Sequence, residues 1–100
     1  MLKHIVMFKL RDHAEGCDRK ANIEALKAKL EALPALIKEI RSFEVGINSI
    51  ESSAACDLVL VSEFESKEAL FRYQNHPEHL LVAGFVGKVC ESRTVADYVL

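Results

Sequence analysis

Residues 2–10 read Leu-Lys-His-Ile-Val-Met-Phe-Lys-Leu, a stretch in which the two sides of an extended chain differ. The even-numbered residues share one side and are apolar apart from one histidine: Leu2, His4, Val6, Phe8 and Leu10. The odd-numbered residues share the other side: Lys3, Ile5, Met7 and Lys9. A period of two is typical of a β-strand. The stretch therefore predicts an opening strand whose even side, with His4, faces the core.

A helix is predicted after this strand. Arg11–Cys17 reads as a polar loop, and Asp18 behind it is a candidate N-cap. The next apolar residues recur at spacings of three and four, as on one face of a helix: Ile23, Leu26, Leu30 and Leu33. Pro34 ends the helix, since a proline cannot continue it.

Two further strands are predicted in the middle of the chain. In Ile40–Ile47, apolar residues alternate with Ser, Glu and Gly. Asp57–Phe64 is rich in Leu and Val. Asn48–Cys56, between them, lacks apolar periodicity and predicts the connecting loop.

The C-terminal part predicts a broken helix and a last strand. Ser66 can cap a helix that begins at Lys67, and Pro77 at a first-turn position begins another, so the break falls at His76. Arg93–Val99 alternates again and predicts the last strand.

The order β-α-β-β-α-β is that of the ferredoxin-like α+β fold, in which both helical segments cover one face of a four-stranded antiparallel sheet. The 100 residues, half of them hydrophobic, suffice for one core. We therefore expect a single domain over residues 1–100.

The second face of this sheet predicts a homodimer. The less apolar side of two predicted strands still carries four large apolar residues: Ile5 and Met7, with either Val59 and Val61 or Leu58 and Leu60. Burying such a side chain contributes roughly 1.5–3 kcal/mol, so leaving four in water forgoes about 6–12 kcal/mol, comparable to the stability of a whole domain. The same face of a second copy could cover them, giving a barrel-like sandwich. The alternative is ordinary scattered surface residues.

Composition argues against several classes of partner. The net charge of −2 comes with interspersed charges and no basic stripe, so nucleic acid is not expected. The apolar N-terminal run is too short to cross a bilayer, so no membrane insertion is expected either. Cys17, Cys56 and Cys90 form no C-x-x-C pair, which is typical of reduced thiols in the cytoplasm.

The segment Tyr73–His79, which reads Tyr-Gln-Asn-His-Pro-Glu-His, is the best candidate for chemistry. Pro77 at the first helical position makes His76 the N-cap and places His79 in the first turn. The positive end of the helix dipole favours a neutral imidazole there, which can accept a proton near neutral pH. His79 is thus a candidate general base, and Tyr73 can donate a hydrogen bond to a substrate oxygen.

Two other interpretations of this segment stay open. It can serve the structure alone, with His76 capping a helix, His79 making a buried hydrogen bond and Tyr73 packing in the core. The two histidines could also bind a metal together with Glu78 or Asp57, although a lone H-x-x-H lacks the third ligand of known zinc sites.

The remaining polar residues carry weaker signals. His4, on an apolar strand side, is typical of a hydrogen-bonded core histidine, and His13 in a loop is expected in solvent. Asp97 reads as a polar strand-end residue rather than a catalytic acid. The sequence contains no glycine-rich phosphate loop and no G-x-S-x-G elbow, so neither a cofactor nor a metal is predicted.

Several strings together resemble the stress-responsive α/β-barrel (Dabb) family, in order along nearly the whole chain: His4–Leu10, Phe43–Asn48, Asp57–Ser66, Tyr73–His79 and Asp97-Tyr98. The resemblance implies a dimeric ferredoxin-like barrel with a hydrophobic pocket in each subunit between helices and sheet. It places the early strand histidine, His4, beside this pocket, and we expect Val6, Phe8 and His76 to bind the ligand with it.

The resemblance also suggests an activity. A plant branch of the family cyclises linear polyketides without a cofactor, using a Tyr and the last His of H-P-x-H, which correspond to Tyr73 and His79. That branch has aromatic residues on its first helix, where this chain has Ile23, Leu26 and alanines. Our leading hypothesis is a cofactor-independent dimer that binds a small apolar or aromatic carbonyl compound. The alternative is a non-catalytic stress-response or ligand-binding module, which a closed core around His79 would favour.

Overall fold

The computed structural model describes residues 1–100. In chain order its elements are β1 (Leu2–Leu10), β2 (His13–Ala14), β3 (Cys17–Asp18), α1 (Arg19–Glu31), a short 3-10 helix (Leu33–Ala35), β4 (Ser42–Ile47), β5 (Leu58–Phe64), α2 (Lys67–Gln74), α3 (Pro77–Val89) and β6 (Cys90–Val99).

Four of the strands form one antiparallel sheet in the order β4-β5-β1-β6. The first and last strands of the chain are therefore neighbours at the middle and edge of the sheet. In this register His4 on β1 lies between Ser62 on β5 and Asp97 on β6. The ferredoxin-like α+β architecture predicted from the element order is confirmed.

The even-numbered side of β1 packs under the helices, as its pattern predicts. Leu2, Val6, Phe8 and Leu10 are all buried there, and His4 is only 4% exposed. The buried side of β5 contributes Leu58, Leu60 and Phe64 to the same core, and α1 adds Leu26 and Leu30.

The three predicted N-caps are confirmed. The Asp18 side chain accepts a hydrogen bond from the Ala21 amide at 2.9 Å, and the Ser66 hydroxyl accepts one from the Ala69 amide at 3.1 Å. At the break between α2 and α3, His76 Nδ1 accepts a hydrogen bond from the backbone N–H of Glu78 at 3.1 Å, directly before Pro77. These caps satisfy amides that the first turn of a helix leaves without partners.

The predicted loop Arg11–Cys17 contains a small hairpin instead. Its strands β2 and β3 are joined by Glu15 and Gly16, which both have positive φ (52° and 75°) as in a type I′ turn. Strands of two residues are too short to produce an alternating pattern, so the sequence does not reveal them.

The boundaries of other elements also differ from the predictions. The last strand begins at Cys90 rather than Arg93, because the chain passes straight from α3 into β6 with no glycine or proline between them. The first helix ends at Glu31, so Leu33 lies in the 3-10 helix, and β4 begins at Ser42 rather than Ile40.

The second face of the sheet is uncovered by any helix. Of the two alternatives for β5, it is Val59 and Val61 that lie beside Ile5 and Met7, because these residues pair directly in the ladder. Met7 is 41% exposed, and Tyr98 on β6 is 44% exposed. None of the helices has the length and apolar character needed to span a membrane. All three cysteines are free.

Candidate functional site

A cavity of about 460 Å³ lies between the sheet and the helices. Every long element except β4 contributes to its wall, which is mostly apolar: His4, Val6, Phe8, Leu30, Leu60, Tyr73, Gln74, His79, Val82, Ala83, Val86, Gly87 and Arg93. This volume is within the usual range for small-molecule sites, which are concave and apolar with a few polar groups.

Tyr73 on α2 reaches the centre of this wall and is only 1% exposed. Its ring packs against the Phe64 and His79 rings, with centroid distances of 4.8 Å and 4.5 Å. Burial raises the pKa of the Tyr73 hydroxyl above its ordinary value, so the group stays protonated at neutral pH. It is therefore a hydrogen-bond donor in an apolar wall.

His79, at the start of α3, is half-buried beside Tyr73. Its Nδ1 lies 2.9 Å from the Gln74 carbonyl oxygen. A carbonyl only accepts, so Nδ1 carries the proton and Nε2 of the neutral ring is free to accept another. Burial lowers the pKa of His79, and the nearby charges of His4 and Arg93 lower it further, against the opposing effect of the Gln74 carbonyl. The imidazole is thus kept neutral mainly by burial, whereas the sequence had suggested the helix dipole as the cause.

His4 faces the same cavity from the sheet. Its Nδ1 is hydrogen-bonded to a carboxylate oxygen of Asp97 on the neighbouring strand, and its ring centroid is 6.4 Å from that of Tyr73. A carboxylate also only accepts, so Nδ1 carries a proton in this pair as well. His4 is hydrogen-bonded, as a core histidine should be, and it also lines the cavity.

The structure brings most of the predicted site residues together. Tyr73, His79 and His4 share the cavity with Val6 and Phe8. His76 is the exception and a correction to the predicted ligand-binding set: it does not line the cavity, and its Nδ1 is used by the Glu78 amide at the helix start. No group of three or more His, Cys, Asp or Glu side chains is arranged to hold a metal ion.

Three polar residues of the site were missed in the sequence. Gln74 fixes the His79 ring, Asp97 fixes the His4 ring, and Arg93 lies in the cavity wall. The sequence did contain a signal for Asp97 and Arg93. In a ferredoxin-like sheet the first and last strands pair, so alternate residues of β6 share the face of His4.

The site can polarise a carbonyl and move a proton. A protonated phenol can donate to an oxygen that gains negative charge, and a neutral imidazole with one free nitrogen can remove a proton nearby. Both groups lie in a largely apolar wall, where electrostatic interactions are stronger than in water.

The fold and this cavity define the chain as a ferredoxin-like α+β protein with an apolar pocket between helices and sheet. The family model described as "Stress responsive A/B Barrel Domain", Dabb, matches residues 2–100, and the chain belongs to this family. It is 31% identical over 100 residues to a stress-response A/B barrel domain-containing protein of Arabidopsis thaliana, over 99% of this chain. The chain spans only 36% of the length of that relative.

Solved structures agree with this assignment. A dimeric protein of unknown function with a ferredoxin-like fold from Bacteroides fragilis is 36% identical, with a TM-score of 0.86 over 99% of this chain and 95% of that one. The protein At3g17210 of Arabidopsis thaliana is 30% identical, with a TM-score of 0.78 over all of this chain and 95% of that one.

Proposed function

We propose that the cavity binds a small apolar or aromatic carbonyl compound and that Tyr73 and His79 act on it by acid–base chemistry without a cofactor. The observation that carries this proposal is the buried contact between the two rings, whose centroids lie 4.5 Å apart in the wall of a cavity of about 460 Å³. A protonated phenol beside a neutral imidazole is a donor and acceptor pair for one small substrate.

The composition of the wall supports the proposal of ligand binding. Eight of its thirteen residues are hydrophobic, which favours an apolar or aromatic body. The Tyr73 hydroxyl, kept protonated by burial, offers a hydrogen bond to an acceptor. A carbonyl oxygen is such an acceptor, and water excluded by the ligand strengthens the bond.

The proposed reaction begins with proton abstraction beside the carbonyl. His79 Nε2 removes a proton from the neighbouring carbon, and the electron pair moves onto the carbonyl oxygen, where the Tyr73 hydroxyl stabilises the enolate. In a ketone with a neighbouring C=C bond, return of the imidazolium proton at the far carbon of the dienolate gives isomerisation. Where the ligand has a second carbonyl, attack by the enolate carbon forms a C–C bond, and the resulting alkoxide takes the imidazolium proton, which completes cyclisation. His4 is held in place by Asp97, and its Nε2 can accept a hydrogen bond from a ligand hydroxyl.

The cavity also supports this proposal over the alternative of a non-catalytic module. A module that kept only its dimer surface would need no open space at Tyr73 and His79, whereas both residues line the cavity. A module that binds a ligand without catalysis remains as the alternative, and measuring binding and proton exchange on the same compound distinguishes it from an enzyme.

We further propose a homodimer in a reducing, cytoplasmic setting. The exposed apolar face around Ile5 and Met7 fits the same face of a second copy, and the relative from Bacteroides fragilis is dimeric. Three free thiols fit a reducing compartment.

The test uses 2-acetonaphthone, an aromatic methyl ketone. Wild type should be stabilised by the ketone in a thermal shift assay and should speed the exchange of its methyl protons for deuterium, measured by NMR. His79→Ala should lose the exchange, and Tyr73→Phe should slow it by about a hundredfold or more, as expected for loss of one acid or base group. His13→Gln, an exposed histidine outside the cavity, is the control and should match wild type.

The outcomes separate the parts of the proposal. Equal exchange in wild type, Tyr73→Phe and His79→Ala would contradict the catalytic roles. Stabilisation by the ketone without any exchange would leave a binding module.

A further inference from the structure

Arg93 is a cationic residue in the wall of the apolar cavity. It lies on β6 directly opposite Phe8, and alternate positions along the strand place it on the same face as Asp97. No Asp or Glu lines the cavity, so Arg93, which is exposed, has no carboxylate beside it among the lining residues. An arginine stays charged at any physiological pH.

No carboxylate of the chain neutralises this charge. Three of the other four arginines are paired on the surface, Arg19 with Asp12, Arg41 with Glu65 and Arg72 with Glu39. Arg93 and Arg11 take part in no ion pair, and of these two only Arg93 lines the cavity. Asp97 is four residues further along an extended strand, about 13 Å away by strand geometry, and is bonded to His4.

The Arg93 charge nevertheless acts on the site. It is one of the charges that lower the pKa of His79, and it also acts on the Cys90 thiol near the end of α3. The guanidinium is therefore within electrostatic reach of the imidazole that we propose as base.

We propose that Arg93 binds a carboxylate on the ligand, so that the cavity selects aromatic or apolar carbonyl acids over neutral carbonyl compounds. This inference rests on the proposed function. The planar guanidinium matches a carboxylate with two parallel hydrogen bonds, and an unpaired cation beside an apolar wall gains from an anion that brings its own apolar body. The carboxylate lies at the exposed β6 side of the cavity, and the aromatic body lies against Phe8 and Val82.

The experiment compares two ligands of similar shape that differ in charge. Isothermal titration calorimetry measures 2-naphthoate and 2-acetonaphthone against wild type, Arg93→Leu, Arg93→Lys and the control Arg41→Leu, which removes an equal charge outside the cavity. Wild type should bind 2-naphthoate about tenfold more tightly than the ketone, as expected for a charge-assisted hydrogen bond.

The preference for 2-naphthoate should differ among the variants according to the charge and shape of the side chain. Arg93→Leu should lose the preference for 2-naphthoate and keep its affinity for the ketone. Arg93→Lys should keep part of the preference, since it keeps the charge but loses the paired hydrogen bonds. Arg41→Leu should behave as wild type.

Two results would overturn the inference. If wild type binds the ketone as tightly as the acid, or if Arg93→Leu keeps the preference, Arg93 does not select the ligand, while the proposed function stands. If neither compound binds to wild type, the proposed function fails and the role of Arg93 fails with it.

Discussion

His79 has a pKa below its ordinary value mainly because it is half-buried, and this couples folding to pH. The unfolded chain, whose histidines titrate near pH 6.5, binds more protons than the folded chain as the pH falls through that value. The free energy of unfolding of wild type should therefore decrease between about pH 7.5 and pH 5.5. His79→Gln should lose less stability over this range in urea titrations.

The control for this prediction is His13→Gln. His13 is exposed on the hairpin, so its replacement should leave the pH dependence of wild type unchanged. If the free energy of unfolding of wild type and His79→Gln fell equally as the pH was lowered, a neutral, buried imidazole at this position would be contradicted.

The proton positions on His4 and His79 are a second prediction at the residue scale. In both rings Nδ1 faces an oxygen that can only accept a hydrogen bond, from Asp97 or from the Gln74 carbonyl. Nitrogen NMR of the neutral form of each ring should therefore find the Nδ1–H tautomer. Asp97→Asn should change the His4 signals and leave those of His79 in place. An Nε2–H tautomer in either ring would contradict the assigned hydrogen bond.

At the scale of the elements, α3 forms one wall of the cavity, and two of its glycines make a matched pair. A Cβ atom added at Gly87 or Gly84 would have nothing outside the neighbouring helix backbone within 4 Å, but only Gly87 lines the cavity. Both Gly87→Leu and Gly84→Leu should raise the free energy of unfolding by about 0.5–1 kcal/mol, because leucine favours a helix over glycine.

Their effects on binding should differ. Gly87→Leu fills the space beside Val86 and Ala83, so the thermal shift with 2-acetonaphthone should disappear, whereas Gly84→Leu should keep it. A ligand that still stabilises Gly87→Leu as it does wild type would place the binding site elsewhere.

The elements were predictable where one side of a segment is buried over several residues. The alternation in β1, the Leu- and Val-rich run of β5 and the caps at Asp18 and Ser66 indicated these elements correctly. The hairpin of β2 and β3 was not, because its ladder contains only two residue pairs. The start of the last strand was also predicted too late, at Arg93 rather than Cys90.

The site was predictable only in part, for a related reason. Tyr73 and His79 belong to one local string, which a single sequence can show. The roles of Asp97 and Arg93 depend on the pairing of β6 with β1, which are far apart along the chain. His76 was expected in the ligand-binding set, but its Nδ1 caps α3 instead.

For the whole molecule, the uncovered sheet face predicts association. Wild type should sediment as a dimer at micromolar concentration. Met7→Arg puts a charge on this face, and an unpaired charge buried in an interface should weaken the dimer by at least about a hundredfold. Leu81→Arg, at a side chain that is 71% exposed on the helical side, is the control and should remain dimeric. A stable, well-folded wild-type monomer would contradict the dimer.

The cavity itself is tested most directly by a crystal structure of the protein with 2-acetonaphthone. The naphthyl body should lie between helices and sheet, with the carbonyl oxygen about 2.5–3.0 Å from the Tyr73 hydroxyl and the methyl carbon facing His79. A ketone bound only on the open sheet face, or a cavity closed around Tyr73 with the ligand outside it, would contradict ligand binding at Tyr73 and His79.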